Sequence, residues 1–264
     1  MRQPNVTRSW MARTSGQLSP RDMAILRTLG RLRLASGEQL HRIHFAQDSN
    51  RNRRRVLRSL WERHLIARLD RRVGGYQAGS SSHLLTLDVA GQRLIDQEQG
   101  RTRWRRPSTP GAPFVAHVLA VTELYTQLVE IDRQGKAELL DFDAEPLCWR
   151  RFASRSGGTA TLKPDAFVRV GIGEYADSFF VEVDRGSESP STLLAKMTGY
   201  RAYWQSGVEE AKHGVFPRVL FTVLDERRYQ VVVDLCSRMP AESWMLYRTT
   251  LFTDAAALMA GVAP

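Results

Sequence analysis

An α+β chain in two parts is predicted from these 264 residues: a small basic module of helices with a β-hairpin, then an α/β domain on a central mixed sheet. Three observations predict it. Short capped helical periods and a Gly-containing hairpin fill residues 18–99, two apolar strand-like runs with carboxylates at their ends sit at 164–184, and the charge changes sign between the halves. Residues 1–106 hold 22 basic and 8 acidic side chains, a balance of +14, whereas residues 107–264 hold 16 and 20, a balance of −4. A uniformly basic chain would adhere to any polyanion; this asymmetry separates an anion-binding part from a part that gathers acids.

Residues 1–17, with Arg2, Arg8 and Arg13, are expected to form a flexible basic lead-in. Ser19-Pro20-Arg21-Asp22 then places Ser at an N-cap, Pro in the first turn and an acid three residues on, ahead of Met23, Ile25, Leu26 and Leu29. Ser36-Gly37-Glu38-Gln39 repeats the device before Leu40, Ile43 and Phe45. A third helix follows Asp48-Ser49-Asn50, with Val56, Leu57, Leu60 and Trp61 as its buried stripe and Arg51, Arg53, Arg54, Arg55 and Arg58 on the other face. Two apolar segments, 65–69 and 82–87, flank Arg71-Arg72-Val73-Gly74-Gly75-Tyr76 and read as a hairpin with an Arg-rich tip. Asp88 caps a further helix carrying Val89, Leu94 and Ile95. Three helices and such a hairpin make a winged helix-turn-helix, so residues 18–99 are expected to bind DNA through the third helix and through Arg71 and Arg72. An isolated charge run is usually a solvated helix face; the second cationic cluster on the hairpin is what favours DNA here.

Gly100 to Pro113, basic and rich in Pro and Gly, is expected to link the two domains, and residues 114–264 to form the second. Phe114, Val118, Val121, Leu124, Leu128 and Ile131 recur at helical spacing to about residue 133, with His117 and Glu123 on flanking faces. A strand near 138–149 includes Glu145, Leu147 and Trp149. Pro164-Asp165 then opens a strand to about 170, Gly171-Ile172-Gly173 turns the chain, and a second strand runs from about 178 to 184. Glu182 and Asp184, two residues apart on that strand, share one face. Buried unpaired carboxylates cost several kcal/mol each, so three acids on core strands call for cations, and a divalent metal supplies them. Ser189-Pro190 starts a helix to about Gln205 with Leu193, Met197, Tyr200 and Trp204 as its stripe and Lys196 one step off it. A strand at 219–224 follows; Arg227, Arg228, Tyr229, Val232, Val233 and Cys236 fit a helix while the run Val231-Val232-Val233 favours a strand, and a strand near 245–252 and a short helix from Asp254 come after.

Two cysteines, Cys148 and Cys236, exclude a disulfide framework and a zinc cluster and suggest the cytoplasm. No apolar run approaches the length of a membrane span, and the basic N-terminus lacks a secretory apolar segment, so no membrane segment is expected.

Helix, three strands, helix, strand is the order of the restriction-endonuclease core. With the winged helix in front, the chain resembles the replication-relaxation family, the MobC-type relaxases of mobilisable plasmids. The resemblance runs from Leu18-Ser19-Pro20-Arg21-Asp22 through Gln39-Leu40, Leu60-Trp61 and Gly74-Gly75 to Leu162-Lys163-Pro164-Asp165, then Phe180-Val181-Glu182-Val183-Asp184-Arg185-Gly186 and Lys196 with Tyr200. It implies a PD-(D/E)XK-type site in which Asp165, Glu182 and Asp184 hold one or two Mg2+ or Mn2+ ions that polarise a phosphodiester. The signature lysine, two residues after the glutamate, is replaced here by Asp184. Lys196 is therefore expected to be catalytic alongside the three acids, with Lys163 as the other candidate. Glu123 and Glu145 are more simply solvated acids than outer ligands, and His117 a core-edge histidine. Tyr200 and Tyr203 read as packing rather than as covalent nucleophiles, since no histidine pair alternates on a strand.

The expected partners are double-stranded origin DNA, single-stranded DNA at a cleavage point, and other relaxosome or replication proteins. Three functions follow: an origin nickase for plasmid or mobile-element transfer or replication, a DNA-binding initiation or regulatory protein whose nuclease core is degenerate, and a double-strand endonuclease. The last needs two active sites, and nothing in the sequence indicates dimerisation.

Overall fold

In the computed structural model, which describes residues 6–69, 83–100, 111–154 and 157–262, the first four helices each begin at a side-chain cap. They are α1 (Arg8–Ser15), α2 (Pro20–Leu32), α3 (Gly37–His44) and α4 (Asn50–Glu62). Ser19 and Gln39 illustrate why the boundaries are legible: the Ser19 Oγ accepts from Asp22 N at 3.1 Å while Asp22 reaches back to Ser19 N at 2.9 Å. Ser36 and Gln39 form the same reciprocal box, each such cap being worth ~1 kcal/mol. Strands β1 (Ala35–Ser36), β2 (Ile66–Leu69) and β3 (Leu84–Leu87) form an antiparallel sheet in the order β1-β3-β2, followed by α5 (Val89–Glu98). Ile25, Leu26, Leu29, Leu40, Phe45, Leu57, Leu60, Leu85 and Ile95 close one core.

Three expectations for this part are corrected. The lead-in is helical from residue 8, because Thr7 caps it and Met11 is buried in the core, and Arg93 binds the Val6 carbonyl at 2.6 Å. Trp61 lies on the surface of α4 rather than in its buried stripe, where the Arg68 guanidinium stacks on it at 4.4 Å from the ring centroid. The division between the compact units, Met1–Thr126 and Gln127–Pro264, falls inside α6 (Ala112–Arg133) and not at 100–113. The reason is the tie between the first half of α6 and α3 and the residues before it: Thr122 donates to the Leu34 carbonyl at 2.7 Å, and Gln39 donates to the Leu119 carbonyl at 3.0 Å. Most of the expected linker, and the hairpin tip with Arg71 and Arg72, lie outside the described residues.

Among the described residues, α6 is long and apolar enough to cross a membrane, with a mean hydropathy of 1.3, where the lengths of the apolar runs led to the expectation of no such segment. Val115, Val118, Val121, Leu124 and Leu128 on it are buried within the protein, which accounts for that apolarity.

The second unit is built on a five-stranded sheet in the order β10-β9-β8-β7-β4: β4 (Glu138–Ala144), β7 (Ala166–Ile172), β8 (Tyr175–Val183), β9 (Arg218–Val223) and β10 (Tyr247–Leu251). The pairs β4/β7 and β7/β8 are antiparallel, β8/β9 and β9/β10 parallel, so the sheet is mixed and the fold α+β. The strand expected to reach residue 149 ends at Ala144, residues 145–148 form a turn, and a separate ribbon of β5 (Arg150–Ala153) and β6 (Thr159–Leu162) follows. The chain leaves β4 after Ala144 because Pro146 has no N–H to continue a ladder. Helices α7 (Pro190–Gln205), α8 (Val208–His213), α9 (Glu226–Ser237) and α10 (Ala255–Met259), with a 3-10 turn at Ala241–Leu246, complete it. The β7–β8 hairpin is longer than expected, with its turn at Gly173-Glu174, where Gly173 takes a φ of 61° that a β-branched residue would resist. On one face of the sheet Phe180 and Phe221 pack against Leu193, Met197, Tyr200 and Tyr203 of α7. Tyr203 takes the buried position expected for Trp204, which is half-buried.

Candidate functional site

The antiparallel register of β7 and β8 sets Ala166 against Val181 and Phe167 against Phe180, so the next step sets Asp165 opposite Glu182. Alternation along β8 turns Phe180 and Glu182 to the face that α7 covers. Asp165 is 9 % exposed, and its Oδ2 accepts from the Val183 N–H at 2.7 Å. Glu182 is 2 % exposed and has both oxygens engaged from α7: Oε2 accepts from Lys196 Nζ at 2.8 Å and Oε1 from the Tyr200 hydroxyl at 2.5 Å. Residues 196 and 200 are one turn apart on a helix, which is why both reach the same carboxylate.

Charge in this cluster is unbalanced. Burial, and then the adjacent Asp165 carboxylate, push the Glu182 carboxyl up to about 7, against the opposing pull of Lys196 and Tyr200. Burial alone would lower the Lys196 ammonium; Glu182 and Asp165 outweigh it and hold the ammonium above its usual range. A third acid, which no motif in the sequence marks, also uses this lysine: Glu188 Oε1 lies 2.7 Å from Lys196 Nζ, while Glu188 Oε2 is buried without a hydrogen-bond partner. The Ser-Pro cap that starts α7 one residue later is the signal that could have found it, because a residue just before α7 lies within reach of Lys196 in its second turn.

Asp184 belongs to a different pair. Its Oδ2 accepts from Arg228 Nε of α9 at 2.5 Å and its Oδ1 from Gly186 N at 2.8 Å, with the side chain 1 % exposed. The expectation that three buried acids demand metal therefore meets a physical alternative: Lys196 and Arg228 come from the two helices on that face and supply cations of the protein's own. Among the described residues no three His, Cys, Asp or Glu side chains converge closely enough to hold a metal ion. Asp184 thus pairs with Arg228, whereas Glu182 pairs with Lys196. Asp165 and Glu182 remain, two hard oxygen donors in a cluster where Glu182 and Glu188 share one ammonium and one Glu188 oxygen is orphaned. That surplus of acceptors fits one divalent ion that keeps most of its water.

The other candidates separate clearly. Lys163 is exposed, its ammonium 4.9 Å from the Trp149 ring centroid, so Lys196 is the lysine brought to the acids. Glu145 is half-buried and its N–H donates to the Asp165 carbonyl at 3.1 Å. Glu123 is held by Arg42 at 2.5 Å and Gln39 at 3.1 Å in the first unit, and His117 is half-buried on α6. The Tyr200 phenol is fully buried and raised well above its usual pKa, by burial first and then by Glu182, which makes it a poor nucleophile. Tyr203 donates to the buried Glu209 and is raised likewise.

On α4, Arg51, Arg54, Arg55 and Arg58 are exposed, with Arg55 on Asn52 and Arg58 on Glu62. Arg53 is turned inward: it holds the Gly37 carbonyl at 3.2 Å and Glu38 at 3.0 Å, with 13 % of its side chain exposed. It fastens α4 to the start of α3.

A basic helical unit followed by an α+β unit with buried acids clustered around a helix lysine is the class of protein these observations define. The family model described as Replication-relaxation matches residues 26–219, most of the chain, and the chain belongs to that family. Membership carries a role in replication or relaxation. No curated protein and no solved structure matches the chain significantly.

Proposed function

We propose that the chain is a DNA-binding, divalent-metal-dependent nickase of the relaxase type, acting at an origin of plasmid or mobile-element transfer or replication. The observation that carries this reading is the contact of Lys196 with Glu182 opposite Asp165, an acid pair and an ammonium at one strand end. A PD-(D/E)XK centre uses the same groups, with the lysine here delivered from α7 instead of the strand. A divalent ion on Asp165 and Glu182 would polarise the scissile phosphate and acidify an attacking water. Lys196 offsets charge on the phosphate, and Tyr200 fixes the rotamer of Glu182. Glu182, with its carboxyl near 7, holds or releases a proton at physiological pH.

The helix and strand order of the first unit supports a winged helix with α4 as its recognition helix. Replacing Arg51 or Arg54 by Ala should flatten the slope of log affinity against log salt by ~0.9 for each phosphate that is no longer neutralised. Arg53→Ala should instead lower the thermal midpoint, because it releases α4 from α3. Equal effects of all three on the salt slope would remove the division between a packed and a DNA-facing arginine.

A second reading, a DNA-binding initiation protein with a retired nuclease core, rests on one observation: the position of the signature lysine is an acid closed by Arg228. Metal binding separates the two. Divalent ions bind the ionised carboxylate, so the magnesium or manganese affinity read from thermal shifts should rise about tenfold per pH unit up to about 7 and level off above it. Asp165→Ala should abolish the shift. A shift independent of pH, or one that survives Asp165→Ala, contradicts the nickase reading.

A further inference from the structure

We infer that Arg228 is a phosphate-binding residue of the acid cluster, held in place for that role by Asp184; the inference rests on reading the cluster as a phosphodiester site. Three observations carry it. First, one edge of the guanidinium is clamped: Nε donates to Asp184 Oδ2 at 2.5 Å, and Nη2 donates to the Glu188 carbonyl at 2.6 Å. Second, Nη1 shows no hydrogen bond among the described residues and is not one of the fully buried unpaired atoms, in a side chain that is 14 % exposed. A guanidinium fixed along one edge and open along the other is a pre-organised receptor for an anionic oxygen, since the entropy of ordering it is already lost in the folded chain. Third, Glu188 ties this arginine to the cluster, its backbone carbonyl on Arg228 and its carboxylate on Lys196.

Asp184 thereby acquires a function that neither metal binding nor the missing lysine explains. Its oxygens are used by Gly186 N and Arg228 Nε, and it acts as a positioning residue that hands the cationic duty of its sequence position to a side chain from α9. A salt bridge serving stability alone would need no open guanidinium edge.

The test separates a contact from mere neutralisation. The double variant Asp184→Asn/Arg228→Gln removes one charge of each sign, so the net charge is unchanged. Full-length wild type and variant are compared in binding a fluorescent duplex from the intergenic DNA flanking the gene, with calcium present, across a salt series. The expected result is a slope smaller by about 0.7–0.9, equivalent to one phosphate, with the thermal midpoint retained. Nicking should fall about ten- to hundredfold, in keeping with the loss of one charge-assisted hydrogen bond. An unchanged slope overturns the inference whatever nicking does. A reduced slope with no nicking by wild type keeps Arg228 as a phosphate ligand and removes the nuclease reading. Should the double variant fail to fold, Arg228→Lys, which retains a cation for Asp184 but loses the open fork, decides: weakened DNA binding and nicking support the inference, and wild-type values for both overturn it.

Discussion

Lys196→Ala is expected to destabilise the protein by about 3–5 kcal/mol near pH 8 and by much less near pH 5, measured by denaturant unfolding at both. Lys196 is the ammonium in contact with both Glu182 and Glu188, and its removal leaves buried carboxylates without a cation. The sign of the pH dependence follows from Glu182. Its folded carboxyl is raised to about 7 from an ordinary value near 4.5, so the folded state binds the extra proton and stability falls as pH rises through that window. Wild type should already show this decline, and in the variant it should extend to higher pH, because the group that opposed the upward shift is gone. Near pH 5 the carboxyl is protonated and hydrogen-bonded to Tyr200, and little is lost. Equal destabilisation at both pH values would mean that Lys196 acts by packing its stem and not by its charge.

Asp165→Ala is expected to reduce nicking about a hundred- to a thousandfold, the range for removal of one preorganised charge-stabilising group. DNA affinity carried by α4 should be unaffected. The substitution has an internal check. Asp165 is the chief neighbouring charge that raises Glu182, so its removal should lower the Glu182 carboxyl and flatten the decline of stability between about pH 5 and 7. It also leaves the Val183 N–H without its acceptor, at ~1–3 kcal/mol. A variant that loses nicking while its pH–stability profile flattens has lost the charge of Asp165 and not its fold.

Local chemistry explains how much of this is legible in the sequence. Ser19, Ser36, Ser49, Asp88 and Ser189 are caps whose partners lie within three residues, so they fix helix starts without reference to the rest of the fold. Alternation in 164–184 puts Asp165 and Glu182 on one face, and Lys196 on the helix that covers it, for the same reason. The helical lead-in is hidden because three arginines conceal Met11 and Trp10, whose contacts are made with residues far along the chain. The pairing of Asp184 is hidden because its partner, Arg228, lies 44 residues on in α9. Arg53 and the exposed arginines of α4 are identical in a charge count; only the proximity of Gly37 and Glu38 distinguishes the packed one. Glu188 lies in a polar loop that carries no periodicity, and its use of Lys196 depends on the angle at which α7 leaves β8.

The most direct measurement is the conversion of supercoiled plasmid carrying the protein's own flanking intergenic DNA to open circles, with magnesium or manganese, by wild type and Asp165→Ala. Metal-dependent open circles from wild type, with none above background from the variant, are the predicted result. Tight binding of the plasmid with no nicking by either protein would contradict it and leave a DNA-binding member of the family whose acid cluster serves only the fold.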